Sequence, residues 1–268
     1  MKTTLTREQI DRYREDGFLV IEDLLSPHEV ERLRRATDRA VEALGPARVV
    51  GNPGLDEPPG VRHTVAKQRL NLWKKDSTVR SALLDPELAK MLCVLLGVDG
   101  LRVFHDQTFF KPPWGRPTAY HLDQPNWPFS DQEGIQIWIA LEEVNIGNGC
   151  LVYLPGTQRV TDRDKTASIS GETGALFELY PELAHISPVC VPLPAGGAAI
   201  HSGLTVHAAC ANMTSRWRRA LSCQYMPDGS TFNGRRSIMT DEQLQGLKLG
   251  ATLNDERHHP LIHPRSAT

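Results

Sequence analysis

A change of pattern near residue 101 constrains this chain more than any other feature. From there, Leu101–Lys111, Ile135–Glu143, Cys150–Leu154, Val189–Leu193, Ala198–His201, Val206–Ala211 and Trp217–Met226 are short and rich in β-formers. They are separated by Gly, Pro, Asn or Asp. Seven short strands with few helices between them predict an antiparallel sandwich or barrel over about residues 101–230. Residues 156–187 interrupt the series with a polar stretch and an amphipathic piece, Ala175–Leu183, and read as a lid insertion over one end.

The first hundred residues read as helical. Thr6-Arg7-Glu8-Gln9 and Ser26-Pro27-His28-Glu29 fit the capping box, in which a hydroxyl residue caps and Glu or Gln three later reaches back. Between them Phe18–Ile21 is an apolar run too short for a helix and reads as a strand. Asp85-Pro86 opens a third helix, with Leu88, Met91, Leu92 and Leu95 on one face and Gly97 as its stop. Residues 45–63 are rich in Gly and Pro and read as a loop. Thr240 with Gln243 predicts one more short helix within a C-terminal tail, 231–268.

The 268 residues fit one large domain. Thirty Lys and Arg against 32 Asp and Glu leave a net charge of −2, with no basic footprint for nucleic acid. No apolar run approaches the ~20 residues that cross a bilayer, and the N-terminus lacks the apolar centre of a secretory signal. Five cysteines without a CxxC pair read as reduced, mostly buried residues of a cytoplasmic protein.

The chemistry points to His121, Asp123 and His207. Side chains two apart in an extended segment share a face, so His121 and Asp123 can meet at one point. A distant His on another strand completes a triangle. Two histidines and one carboxylate on one face of a metal, with positions left open, form the ligand set of non-haem Fe(II) oxygenases. An isolated HxD pair fits a hydrogen-bonded surface histidine as well; the neighbourhood carries the rest.

Phe109-Phe110-Lys111-Pro112-Pro113 precedes the pair, and Trp138-Ile139-Ala140-Leu141-Glu142-Glu143 follows it. Then come Asn148-Gly149-Cys150-Leu151, running on to Pro155-Gly156-Thr157-Gln158, and the block His207, Asn212, Arg218-Arg219-Ala220. With Asp16-Gly17-Phe18-Leu19-Val20 near the start, these blocks in this order resemble the phytanoyl-CoA dioxygenase-like Fe(II)/2-oxoglutarate oxygenases over about residues 8–230.

The resemblance implies a double-stranded β-helix of the jelly-roll or cupin type, with N-terminal helices and iron at one mouth. His121, Asp123 and His207 would be the Fe(II) ligands, and 2-oxoglutarate and O₂ the cosubstrates. The family places an arginine for the 2-oxoglutarate 5-carboxylate shortly after the distal histidine, which points to Arg218. A guanidinium grips a carboxylate with two parallel bonds. Strand alternation agrees, since Arg218, Ala220, Ser222 and Gln224 form one polar, small face. Taking Asn212–Ser215 as a four-residue hairpin loop predicts Ala209 opposite Arg218 and His207 opposite Ala220. Gln107 and Trp138 are further pocket candidates, Trp138 equally a core residue. His201 reads as structural, and His258-His259 as loop.

Two departures stand out. Leu122 replaces a common Gln and should point away from the iron; Gln158 replaces a His that is not a ligand. Halogenating relatives replace the carboxylate with Ala or Gly, whereas Asp123 is present here. The expected activity is hydroxylation of an unactivated C–H bond of a small-molecule metabolite or natural-product intermediate, with succinate and CO₂ as co-products. Epimerisation, cyclisation and desaturation are alternative outcomes. A binding barrel without turnover, or a zinc hydrolase on the same ligands, needs no buried cation near the metal, so Arg218 weighs against both. Arg62, Lys67 and Arg69 are candidates to hold an anionic substrate. Oligomeric state is not legible.

Overall fold

The computed structural model describes residues 1–44, 69–169 and 172–263. Among the described residues, ten strands form two antiparallel sheets. The six-stranded sheet runs β1 (Phe18–Ile21), β7 (Ala198–Ser202), β4 (Ile135–Ala140), β9 (Ala220–Pro227), β2 (Leu101–Thr108), β10 (Leu261–His263). The four-stranded sheet runs β3 (Thr118–His121), β8 (His207–Ala209), β5 (Leu151–Tyr153), β6 (Val189–Val191). From β2 to β9 the chain alternates between sheets, except that β5 and β6 pair directly in the smaller one. This winding is the double-stranded β-helix.

The alternation corrects the predicted hairpin. His207 sits on β8, which pairs with β3 and β5, and β9 pairs with β2 and β4 in the other sheet. Ala209 therefore faces Thr118 and Leu151, not Arg218. Adjacent strands in sequence usually pair, but here residues 210–219 cross between sheets. Asn212 organises that crossing: its amide donates to the carbonyls of Pro112 (2.9 Å) and Arg216 (2.7 Å).

Both capping boxes are formed, at α1 (Arg7–Asp16) under Thr6 and α2 (Pro27–Ala43) under Ser26. Helix α3 (Ser77–Leu83), capped by Asp76, was not expected, whereas α4 (Pro86–Leu96) starts at the predicted Asp85 and stops at Gly97. The helices cover the outer face of the larger sheet. Leu33, Leu88, Leu92 and Leu95 pack there with Ile135, Ile137, Ile139, Leu221, Cys223 and Tyr225 in one buried cluster. Leu101, Val103, Ala198 and Ile200 belong to it as well.

The inner face of the same strands differs in kind. The rows across it read Phe18, His201, Gln136, Gln224, His105 and Val20, Ala199, Trp138, Ser222, Gln107. Ile/Leu on one side and His/Gln/Ser on the other follow from period-two alternation in strands buried on both faces. One wall of the barrel is thus polar.

Within 156–187 lie a short helix, α5 (Leu176–Leu179), and a 3₁₀ turn, Pro181–His185. This segment runs along β3, where Ala119 and Tyr120 donate backbone N–H groups to Ile169 and Thr173. It covers an edge strand that would otherwise present unpaired backbone. Within the C-terminal tail α6 (Asp241–Leu244) forms under Thr240, and β10 adds to the edge of β2.

Candidate active site

His121 closes β3, and His207 opens β8 directly opposite it. Their rings lie 4.2 Å apart between centroids. Asp123 arrives differently from the expectation. The strand ends at His121, and Asp123 adopts helical backbone angles (φ −82°, ψ −45°) ahead of a 3₁₀ turn, Gln124–Asn126. The turn, not strand alternation, brings its carboxylate round. Leu122 points away, fully buried with Leu154, Leu176 and Val206.

The three side chains converge, with ligand atoms all within 4.8 Å of one another. The Nδ1 of His121 lies 2.8 Å from the Ala119 carbonyl, and that of His207 lies 3.0 Å from the Thr205 carbonyl. A carbonyl only accepts, so each Nδ1 carries the proton and each Nε2 lone pair faces inward. The inward atoms do not bond one another: His121 Nε2 is 3.6 Å and His207 Nε2 is 3.8 Å from Asp123 oxygens. Two inward lone pairs and a carboxylate, spaced beyond hydrogen-bond length, are a donor set that fits Fe(II), and carbonyls that fix ring orientation are the usual support of such ligands.

Electrostatics agree. Burial pushes the Asp123 carboxyl up, but His207, His121 and His201 around it hold it well below the usual carboxylate range. Burial beside His121 and His201 holds His207 well below the usual histidine range. His207 thus faces the Asp123 anion as a neutral imidazole.

Arg218 is 2% exposed, and its backbone pairs with Lys111 on the polar wall. Its guanidinium lies 5.0 Å over the Trp138 ring and donates to the Phe109 carbonyl (3.1 Å). Its Nε has no partner, and among the described residues no carboxylate pairs with it. Burial brings its pKa down to about 10. A buried guanidinium without its anion fits a carboxylate ligand. Arg219 points the other way, to Asp38 (2.9 Å) and Glu142 (3.3 Å).

Trp138 is a core residue, packed in one buried cluster with Phe18, Tyr153 and Ala220, and lies under the Arg218 guanidinium. Gln107 lies on the same wall opposite Ser222, only half-buried. Arg62 and Lys67 lie outside the described residues. Arg69 anchors through its backbone N–H to the Thr108 hydroxyl (3.0 Å). Gln158 donates to the Arg14 and Glu15 carbonyls at the end of α1, so the departure from His changes local packing, away from the ligands.

Two further buried histidines lie near the site: His105, which the sequence reading does not name, and His201, which it reads as structural. His105 is buried, its Nδ1 unpartnered, its pKa brought down to about 3 by burial. Its signal was present, two residues before Gln107 on one strand face. His201 lies beside Asp123, and only the fold brings the two together.

The phytanoyl-CoA dioxygenase (PhyH) family pattern matches residues 13–220. The peroxisomal phytanoyl-CoA dioxygenase of Mus musculus is 28% identical over 233 residues, covering 82% of this chain and 68% of that protein. Among solved structures, the α-ketoglutarate-dependent carbocyclase SnoK from nogalamycin biosynthesis superposes with a TM-score of 0.79 at 29% identity, covering 96% of each chain. The epimerase SnoN, solved with Fe³⁺, α-ketoglutarate and nogalamycin RO, gives 0.74 at 26% identity over 96% of this chain and 98% of its own. No described helix is long and apolar enough to cross a membrane. The chain is a non-haem Fe(II)/2-oxoglutarate-dependent dioxygenase and belongs to the phytanoyl-CoA dioxygenase family.

Proposed function

We propose that this chain hydroxylates an unactivated C–H bond of a small-molecule metabolite or natural-product intermediate, releasing succinate and CO₂. His121, Asp123 and His207 would hold Fe(II), and Arg218 would bind the 5-carboxylate of 2-oxoglutarate. The observation that carries this reading is the pairing, in one barrel, of an inward-facing His/Asp/His set with a buried guanidinium that no carboxylate among the described residues pairs. Bound iron supplies activation of O₂ and the oxidative decarboxylation of 2-oxoglutarate.

The chain's own residues do the rest. Ala119 and Thr205 carbonyls fix the two imidazoles. Trp138 gives the guanidinium a flat apolar bed and excludes water around the cosubstrate. Gln107 and His105 line the same wall and offer polar contacts. The described residues of 156–187, which run along β3 beside His121, would act as a lid that selects substrate. Five unpaired thiols support a cytoplasmic setting.

A second reading keeps the site and changes the outcome. The likeness to a carbocyclase and an epimerase favours cyclisation or epimerisation as the alternative. One experiment separates them: succinate formation from 2-oxoglutarate with Fe(II), O₂ and ascorbate over a metabolite panel, with product masses. A product one oxygen heavier is expected. Two hydrogens lost would mean cyclisation or desaturation, and unchanged mass epimerisation. A panel-wide absence of substrate-stimulated succinate would overturn the oxygenase reading.

A further inference from the structure

Three of the five cysteines, at 150, 190 and 210, meet in the four-stranded sheet. Cys150 precedes β5, Cys190 is the middle of β6, and Cys210 follows β8. Val152 of β5 faces both Cys190 and Ala208. The Cys210 N–H donates to the Cys150 carbonyl (2.9 Å), so those two are cross-strand neighbours. Alternation puts all three on the face opposite Tyr153 and His207. The Cys150 and Cys210 sulfurs are 3.9 Å apart, and all three lie within 4.8 Å of one another.

That spacing is too long for a disulfide, whose S–S bond is ~2.05 Å. It is close to the ~3.8 Å edge of a tetrahedron with ~2.3 Å zinc–sulfur bonds. Cys150 is buried, Cys210 partly buried and Cys190 exposed, so the triangle opens to solvent on one side. Lys111 lies alongside: its buried amine, brought down to about 7 by burial, donates to the Cys210 carbonyl (2.7 Å) and the Arg116 carbonyl (3.0 Å), with no carboxylate paired to it among the described residues. Burial pushes the Cys150 thiol up to about 12 and raises Cys210 as well, with Lys111 lowering Cys210 only slightly, so the metal itself must draw the protons off.

We propose that Cys150, Cys190 and Cys210 form a second metal site, separate from the iron site, which takes a thiophilic closed-shell cation such as Zn(II). Three S–H protons leave to solvent, three sulfur–metal bonds form, and no electron moves. Water fills the fourth position on the open side. The metal ties the edge strand β6 to β8, the strand that carries His207, and stiffens the smaller sheet.

Cobalt(II) titration of the reduced, full-length protein under anaerobic conditions tests this. Two equivalents should bind, one of them with intense near-ultraviolet sulfur-to-cobalt absorption that a His/Asp/His site cannot produce. His207→Ala should keep that absorption. Cys190→Ser, at an exposed position, should lose most of it and retain oxygenase turnover. Zn(II) should displace the cobalt and raise the melting temperature of His207→Ala by several degrees, and of the His207→Ala/Cys190→Ser double variant by much less. Absence of the sulfur band in protein with five titratable thiols would overturn the proposal. So would a band that Cys190→Ser leaves intact.

Discussion

His201 stands directly behind Asp123: its Nε2 is 3.4 Å from the carboxylate, and its Nδ1 is 2.8 Å from the Tyr153 hydroxyl. A carboxylate only accepts, so Nε2 carries the proton and Nδ1 accepts from Tyr153. The chain Tyr153–His201–Asp123 therefore aims the carboxylate. Loss of such outer support typically costs about 10–100-fold in metal affinity. His201→Leu should weaken Fe(II) binding in that range, and Tyr153→Phe less, with little change in secondary structure by circular dichroism. Unaltered Fe(II) affinity in a folded His201→Leu protein would show that Asp123 is held by other contacts.

Arg218 and Arg219 are adjacent in sequence and opposite in environment. The first is buried over Trp138, and the second is half-buried between Asp38 and Glu142. Removing the charged partner of a buried carboxylate costs about 3–5 kcal/mol. Arg218→Ala should therefore raise the KM for 2-oxoglutarate by on the order of a hundredfold or more. Arg219→Ala should leave it nearly unchanged and slightly lower the melting temperature. The larger KM defect in the Arg219 variant would reverse the assignment.

Much of this was legible because it is local. Thr6/Gln9, Ser26/Glu29, Asp85-Pro86 and Gly97 act within one turn of helix, and each does what its chemistry dictates. The alternation of Arg218, Ser222 and Gln224 against Leu221, Cys223 and Tyr225 likewise survives in the fold. What failed is what depends on partner choice. Nothing in residues 206–226 says that β8 and β9 join different sheets; the winding of the whole barrel decides it. The hairpin that would set Arg218 beside His207 does not form, yet Arg218 reaches the interior because its alternation with the strand that follows holds. His201 beside Asp123 and the meeting of Cys150, Cys190 and Cys210 come from strands far apart in sequence, and spacing alone carries no trace of them.

Removing one imidazole tests the triad. His121 and His207 face each other across β3 and β8, and both Nδ1 positions are occupied by carbonyls, so neither ring can turn to take over for the other. His207→Ala should abolish succinate formation and weaken Fe(II) uptake. The small residue opposite His121 should leave the fold intact, which far-ultraviolet circular dichroism would check. Full turnover by His207→Ala would remove it from the ligand set.

Asp106 should make one contribution to stability fall as pH rises. It is fully buried on β2, and its two carboxyl oxygens accept the N–H groups of Leu72 (2.9 Å) and Trp73 (3.0 Å). This pins the segment that leads into α3 onto the barrel. Burial pushes the carboxyl up to about 7 despite the two backbone donors. In the unfolded chain an aspartate titrates near ~3.9. Between those values the folded state keeps a proton that the unfolded state has lost, so this group's contribution falls as pH rises and is flat above about 7. Asp106→Asn retains one acceptor oxygen and does not titrate. The stability of wild type minus variant, from urea unfolding, should therefore decline between about pH 4 and pH 7 by a few kcal/mol, with a slope of at most about 1.4 kcal/mol per pH unit. Parallel curves for the two proteins would mean that Asp106 stays ionised, its backbone donors outweighing its burial.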